Sequence, residues 1–479
     1  MNAPGLKQLR AQVVVIGSGP GGATSAHLLA EHGKDVLILE EGLDLPVESC
    51  RPFSIQEMAQ KYRAGGLNPA IGNAKIAFVE GCVVGGGSEI NSGLYHRTPP
   101  VMLERWKKEF GLHLTDETLR PHFEYCEQAL HVGLSPVPAP LASRKLSDGA
   151  EALGWRAVEV PRWYKFETSS RGEEPVGSRQ SMSRTFIPRA VKAGARLQPG
   201  TRVQHLRRSG SGWLIHTKSG DAPLEIRADT VFVCGGAVQS PLLLRRSGIS
   251  RNIGDSLAMH PTVKVVALFD EEINHENLGV PVHQVKEFAP RWTFGCSISS
   301  PPYLALALSD QPNCEQEVRA HWRQMATYYV ALQGPANGSI RPVWGCSDPL
   351  IRYRLSPEDL RDLATGMRRL CQMLLAAGAR RVYPSFVGAK RIDSEDQLST
   401  LPGMLPPQLS NMMTIHLFSS CPMGDNRDRC AVDSFGRVHG IPNLLVNDAS
   451  QIPSAPGVNP QGTIMALAHR NTLNFLDRL

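Results

Sequence analysis

Several familiar site types are missing from this chain of 479 residues. No apolar run approaches the roughly 18 residues needed to cross a bilayer, so no membrane span is expected. The ten cysteines form no CxxC pair, which fits neither a disulfide framework nor a zinc site; they read as reduced, mostly buried thiols. There is no HExxH pattern, and no metal site is expected. GxSxG is also missing, and Gly210-Ser211-Gly212 reads as a polar turn, which argues against a serine hydrolase. Basic residues exceed acidic ones by a formal charge of +6, yet clusters such as Arg207-Arg208 and Arg368-Arg369 are too short to bind nucleic acid. No internal repeat or low-complexity tract occurs. Residues Met1 to Arg10 carry no apolar signal core, which makes a cytoplasmic location the expectation.

What is present is an ordinary globular composition, 42% hydrophobic and 20% charged, long enough for two or three domains. Val13 to Ile16 is a continuous apolar run opening into Gly17-Ser18-Gly19-Pro20-Gly21-Gly22. A helical segment follows to about Glu31, then the apolar Val36 to Leu39 and Glu40. Strand, tight turn, helix and strand make one βαβ unit with a parallel sheet. Trp213 to Thr217 and Thr230 to Cys234 read as further strands, the second running into Gly235-Gly236. Residues 133–145 are Pro-rich and read as a connection. Val263 to Phe269, Tyr303 to Leu308 and Thr327 to Leu332 alternate and predict strands of a largely antiparallel sheet. Within that region Ser356-Pro357-Glu358 starts a helix, Leu360 to Leu375 is apolar at helical spacing, and Gly378 ends it.

The first glycine loop has a physical job. Gly17 permits the turn, Gly19 lets backbone approach a pyrophosphate, and Gly22 allows close helix–strand packing. The phosphates then meet free amides and the positive end of the helix. Glu40, at the end of the next strand, can accept hydrogen bonds from ribose hydroxyls. This motif alone leaves FAD and NAD open. A second glycine-rich loop, Gly81-Cys82-Val83-Val84-Gly85-Gly86-Gly87-Ser88-Glu89-Ile90-Asn91, lets backbone pass against a flat ring system where side chains would clash.

At the other end stand His416 in His416-Leu417-Phe418-Ser419-Ser420-Cys421-Pro422-Met423-Gly424 and Asn459 in Asn459-Pro460-Gln461-Gly462. Between them, Asn443 to Ser450 is an apolar run ending in Asp448. A neutral imidazole and an amide delivered to one site suit proton abstraction from an alcohol.

Together with Gly236 to Ile249, these loops and this tail resemble the glucose–methanol–choline (GMC) oxidoreductase family, in its histidine/asparagine active-site subtype. The resemblance covers residues 13–100, 185–261 and 405–479; the stretches between are supported weakly. It implies a mixed α/β (α+β overall) architecture, with a Rossmann-like FAD-binding domain from residues 1–140, 185–262 and 405–479. A discontinuous antiparallel-sheet substrate domain is expected from 141–184 and 263–404. It further implies FAD contacts from Gly86, Ser88 and Asn91, from Val203 at the adenine and from Asp448 and Ala449 near the ribityl chain and pyrophosphate. Pro460 and Gln461 would open a helix aimed at the flavin N1–C2=O edge. The family usually has glycine where Ser250 stands, from which a small loop difference and no loss of FAD are expected. Ile90 occupies the position of the histidine that tethers FAD in some members, so non-covalent binding is expected. Cys82, His96, Cys421 and Met423 are given packing roles, the last two beneath the flavin.

The implied reaction is oxidation of an alcohol, first of all a primary, small to medium, apolar or aromatic one, to the aldehyde or ketone. His416 would act as general base, Asn459 would bind the substrate oxygen, and hydride would move to flavin N5. Oxygen or another acceptor would reoxidise the flavin. A hydroxynitrile lyase-like enzyme and a non-catalytic flavoprotein of the same fold are the alternatives. Of the other histidines, His260 and His439 are given structural roles and His469 a place on a helix surface. The aromatic residues Trp292, Phe294, Tyr303, Tyr328, Tyr329 and Trp344 are read mostly as core.

Overall fold

A computed structural model describes residues 7–167, 176–219, 222–276 and 279–478. Two sheets organise it. The first has the order Thr201–Ser209, Gly212–Ser219, Ala222–Val233, Lys7–Ile16, Val36–Leu39, Arg196–Gln198, with Leu444–Val446 also paired to Ala222–Val233. Its centre is parallel: Val13 lies opposite both Thr230 and Val36. Val13 to Val15 and Val36 to Leu39 are buried, so these strands have no solvent side for polar residues to occupy. The helix Pro20–Glu31 packs on one face between Gln461–Leu476 and Phe186–Lys192. This is a Rossmann-like domain extended by two antiparallel strands, Thr201–Ser209 and Gly212–Ser219, beside Ala222–Val233.

The second sheet runs Asn68–Ala70, Lys75–Phe78, Asn411–Thr414, Thr262–Leu268, Met325–Leu332, Trp292–Cys296, His283–Val285, Ala157–Glu159, with Arg381–Pro384 paired to Thr262–Leu268. Its pairings are antiparallel except Asn411–Thr414 beside Lys75–Phe78. Strands near residues 70 and 412 therefore sit in this sheet, and the chain rejoins the first sheet only at Leu444. The long helix Pro357–Ala376 lies against it; Ser356 caps that helix through reciprocal bonds with Asp359. Its ring of Leu360, Leu363, Met367, Leu370 and Leu374 joins Val265, Val330 and Phe294 in one core. Each sheet thus has its own hydrophobic core.

Two local readings are corrected. Tyr303 to Leu308 is not a strand: Pro301–Ala307 is a helix. Pro301 and Pro302 pre-set its first turn, and the buried Leu304, Ala307 and Leu308 fall at helical spacing, so short apolar alternation was a poor guide. His469 is not on a helix surface. It is buried, its ring 4.2 Å from that of Tyr125, with Nδ1 2.8 Å from His122 Nδ1. The Pro-rich stretch ends in a helix, Leu141–Ala152. Phe294 and Tyr328 are core, whereas Trp344 is fully exposed. Among the described residues no helix is long and apolar enough to cross a membrane, and all ten cysteines are free.

Gly149 on Leu141–Ala152 tests how tightly this second core is closed. A Cβ there would lie 2.1 Å from the carbonyl oxygen of Met373 on the neighbouring helix. In an open helix Gly→Ala adds about 1 kcal/mol of stability; Gly149→Ala should instead lower the thermal midpoint. A raised midpoint in calorimetry would show that the two helices stand further apart.

Candidate active site

A cavity of about 280 Å³ runs between the two sheets. The first glycine loop forms one end. Gly17 adopts φ +103, and a Cβ there would meet the Cys234 carbonyl at 2.3 Å. Gly22 packs so closely that a Cβ would sit 2.0 Å from Gly17 O. Gly19 and Gly86 bring the two loops together backbone to backbone: a Cβ on Gly86 would lie 2.8 Å from Gly19 Cα. Ser18, which the sequence reading passed over, locks this junction. Its hydroxyl donates to Glu40 Oε2 at 2.7 Å and accepts from Gly85 N–H at 3.0 Å. Glu40 Oε2 also accepts from Ser18 N–H, and Oε1 from Gly42 N–H. Burial pushes the Glu40 carboxyl upward, and these donors pull the other way.

Of the residues expected at the cofactor, Gly17, Gly19, Glu40, Gly86, Asn91, Val203, Asp448, Ala449, Pro460 and Gln461 all line the cavity. Gly22 does not line it, in keeping with its packing role. Ser88 does not line it either. Fully buried, its hydroxyl donates to Gly85 O and accepts from Met182 N–H, so it braces the loop from behind. Cys421 and Met423 are likewise buried without reaching the cavity wall. Asn91 donates to Gln461 Oε1 at 2.8 Å, which joins the second glycine loop to the start of the helix Gln461–Leu476. Asp448 is buried with both oxygens occupied: Oδ2 accepts from Gly236 N–H and the Ser240 hydroxyl, Oδ1 from Ser450 N–H and its hydroxyl.

The other end of the cavity holds the polar tail residues. His416 and Asn459 both face it, with Asn459 Nδ2 3.5 Å from His416 Nε2. His260 touches His416: its Nδ1 lies 3.1 Å from His416 Nδ1, and its Nε2 accepts from Gly457 N–H at 3.1 Å. Gln284 Nε2 donates to Asn459 Oδ1 at 3.1 Å and to the Tyr329 hydroxyl at 3.2 Å. Behind this group is a second, small cavity of about 20 Å³, bordered by His260, Gln284, Thr293, Tyr329, His416 and Asn459. Burial, and then the charge of Lys286, push His416 down to about 4. Lys286 is itself buried and pushed down to about 7; its Nζ donates to Thr293 Oγ1 at 3.4 Å, and Thr293 donates to Gly457 O. Gln284, Thr293 and Tyr329 come from second-sheet strands and Lys286 directly follows one; no motif surrounds them, and only Tyr329 was noted in the sequence, as an aromatic read mostly as core. His439 holds the Gly424 carbonyl, away from the cavity. Among the described residues no group of His, Cys, Asp or Glu is placed to hold a metal ion.

A Rossmann-like sheet, two glycine loops closing a long cavity and an imidazole–amide pair at its far end define a dinucleotide-dependent oxidoreductase. Family comparison makes the class specific: the N-terminal GMC oxidoreductase model matches residues 19–262 and the C-terminal one residues 338–468. The chain belongs to the GMC oxidoreductase family, whose members are FAD enzymes acting on CH–OH donors. It is 40% identical over 477 residues to an uncharacterised GMC-type oxidoreductase of Sinorhizobium fredii, covering 97% of this chain and 94% of that one. A long-chain-alcohol oxidase of Arabidopsis thaliana is 26% identical across 96% of this chain and 67% of its own length. The crystal structure of pyridoxine 4-oxidase from Mesorbium loti shares the fold, with TM-score 0.71 at 18% identity over 98% of this chain and 99% of that one.

The residues present fit FAD. Gly87 has open space where a Cβ would be, and Gly19 has nothing nearer than Gly86, so backbone can meet the cofactor directly. Two helices, starting at Pro20 and Gln461, begin at this cavity and offer unpaired amides to negative charge. Gly86→Val should force the two loops apart. Protein purified with this substitution is expected to carry at least about tenfold less flavin, a loss of roughly 1.4 kcal/mol or more in binding, read from the ratio of flavin to protein absorbance. Full flavin content would show that the Gly19–Gly86 contact is dispensable.

Proposed function

We propose that this protein oxidises a primary alcohol of small to medium size, apolar or aromatic, to the aldehyde, with His416 as general base and Asn459 as the ligand of the substrate oxygen. One observation carries the reading: His416 and Asn459, distant in sequence, meet within 3.5 Å at the end of the cavity that the glycine loops open. The apolar Ile90, Leu94, Val238, Ile415 and Leu417 on the walls favour a substrate with little charge.

The proposed division of labour follows from the residues. Gly17, Gly19 and Gly86 would hold the pyrophosphate and ring system through backbone, Glu40 the ribose, and Val203 the adenine. Asn91, Asp448, Ala449, Pro460 and Gln461 would take the remaining length. Ile90 offers no nucleophile, which supports non-covalent binding. FAD, when bound, supplies the hydride acceptor, and oxygen or another acceptor restores it. A free alcohol is far too weak an acid to lose its proton to water near neutral pH. His416, neutral because its conjugate acid forms only near pH 4, can accept that proton, a contribution of roughly 10²–10⁴-fold. The Asn459 amide would hold the oxygen as its charge grows. The helix beginning at Gln461 presents its positive end there, worth about 0.3–2 kcal/mol to a nearby anion.

His416→Gln should retain FAD but slow anaerobic flavin reduction by at least roughly 10²-fold; reduction at the wild-type rate removes His416 from the base role. Since the neutral ring does the work, reduction should be flat with pH around neutrality and fall only as pH drops through about 4. Mixing with a panel of primary alcohols without oxygen should bleach the flavin band. Cyanohydrin cleavage with the flavin still oxidised would instead assign a lyase.

A further inference from the structure

We infer that His260 is a positioning residue that fixes the tautomer of His416, holding its hydrogen on Nε2 in the substrate-free protein. Gly457 N–H donates to His260 Nε2 at 3.1 Å, so that nitrogen carries no hydrogen. His260 is only 4% exposed, and burial with the charges of His416 and Lys286 keeps it neutral. Its one hydrogen therefore sits on Nδ1 and points at His416 Nδ1, 3.1 Å away. His416 Nδ1 is then an acceptor, and the hydrogen of the neutral His416 ring sits on Nε2, facing Asn459 and the cavity. The chain of bonds has one direction: Gly457 to His260 to His416 to an oxygen.

Asn459 and Gln284 are consistent with that direction once their amides are assigned by the network. With Asn459 Nδ2 towards His416, two donors would face each other at 3.5 Å. Turning both amides presents Asn459 Oδ1 to His416 Nε2–H. It also gives Gln284 Oε1 two donors, the Asn459 amide and the Tyr329 hydroxyl. The Gln284 NH₂ then takes the unpartnered position in the enclosed polar group beside the small cavity.

This inference rests on the proposed base role only for its consequence. To take a hydroxyl proton at Nε2, His416 must first carry its hydrogen on Nδ1. His260 must then accept at Nδ1 and carry its own hydrogen on Nε2, where Gly457 N–H now points. Each ring keeps one hydrogen and no charge changes, but the Gly457 bond is lost. Gly457 and Asn459 lie on one short loop, so the movement that frees His260 also re-aims the substrate-binding amide.

The test is imidazole ¹⁵N NMR of the oxidised, FAD-loaded, substrate-free protein labelled at histidine, with His416 assigned by the signals lost in His416→Gln. We expect His416 as the Nε2–H tautomer. In His260→Phe, which offers no partner, it should populate both. Nδ1–H in the wild type, or a tautomer unmoved by His260→Phe, overturns the inference. Because no substrate is present, neither result depends on whether alcohols are oxidised, and the wild-type spectrum decides even if a variant fails to fold.

Discussion

The carboxylate of Asp448 is where distant parts of this chain are tied together. It accepts from Gly236 and Ser240 on one side and from Ser450 on the other, so the turn after Ala222–Val233 and the C-terminal tail share one buried acid. A carboxylate without those donors would be costly to bury. With them, the strand Leu444–Val446 is pinned beside Ala222–Val233. The tail beyond it must then run along the cavity, which brings Asn459 and the helix from Gln461 to face the second glycine loop through Asn91. The site depends on this knot as much as on any residue that lines it.

The far end of the cavity obeys a different constraint. His260 and His416 are in contact, His96 is close enough to feel His416, and Lys286 acts on all three. The histidines are all depressed by burial, and Lys286 adds to the effect. Bases that are buried together and feel only one another's positive charge stay neutral. Neutral rings at such spacing pass direction along hydrogen bonds, because each has one donor and one acceptor. In the arrangement inferred above, the backbone amide of Gly457 decides which nitrogen of His416 carries its hydrogen.

Much of the fold was legible because its signals are local. The run Val13 to Ile16 before the glycine loop, the capped helix after Ser356 and the apolar strand before Asp448 each carry their own pattern of period or cap. The sequence misled where a short apolar stretch could serve either period, as at Tyr303 to Leu308. It misled again where burial comes from a partner far away, as for His469 against Tyr125 and His122. His416 and Asn459 were readable from motif. Gln284 and Lys286 were not, since the first sits in a short strand without a motif, the second directly follows it, and both gain their place from the pairing of the second sheet.

By itself, then, the sequence determined the cofactor class and the types of side chain available to the chemistry. Backbone freedom at glycine, the acid after the second strand and an imidazole with an amide are properties of residues and their spacing. The tertiary structure decided which groups surround that imidazole. Ser18 became the clasp between two loops, Ser88 a brace behind them, and His260 the neighbour of His416. Contacts of this kind depend on the folding of two sheets against one another, and no local pattern along the chain encodes them.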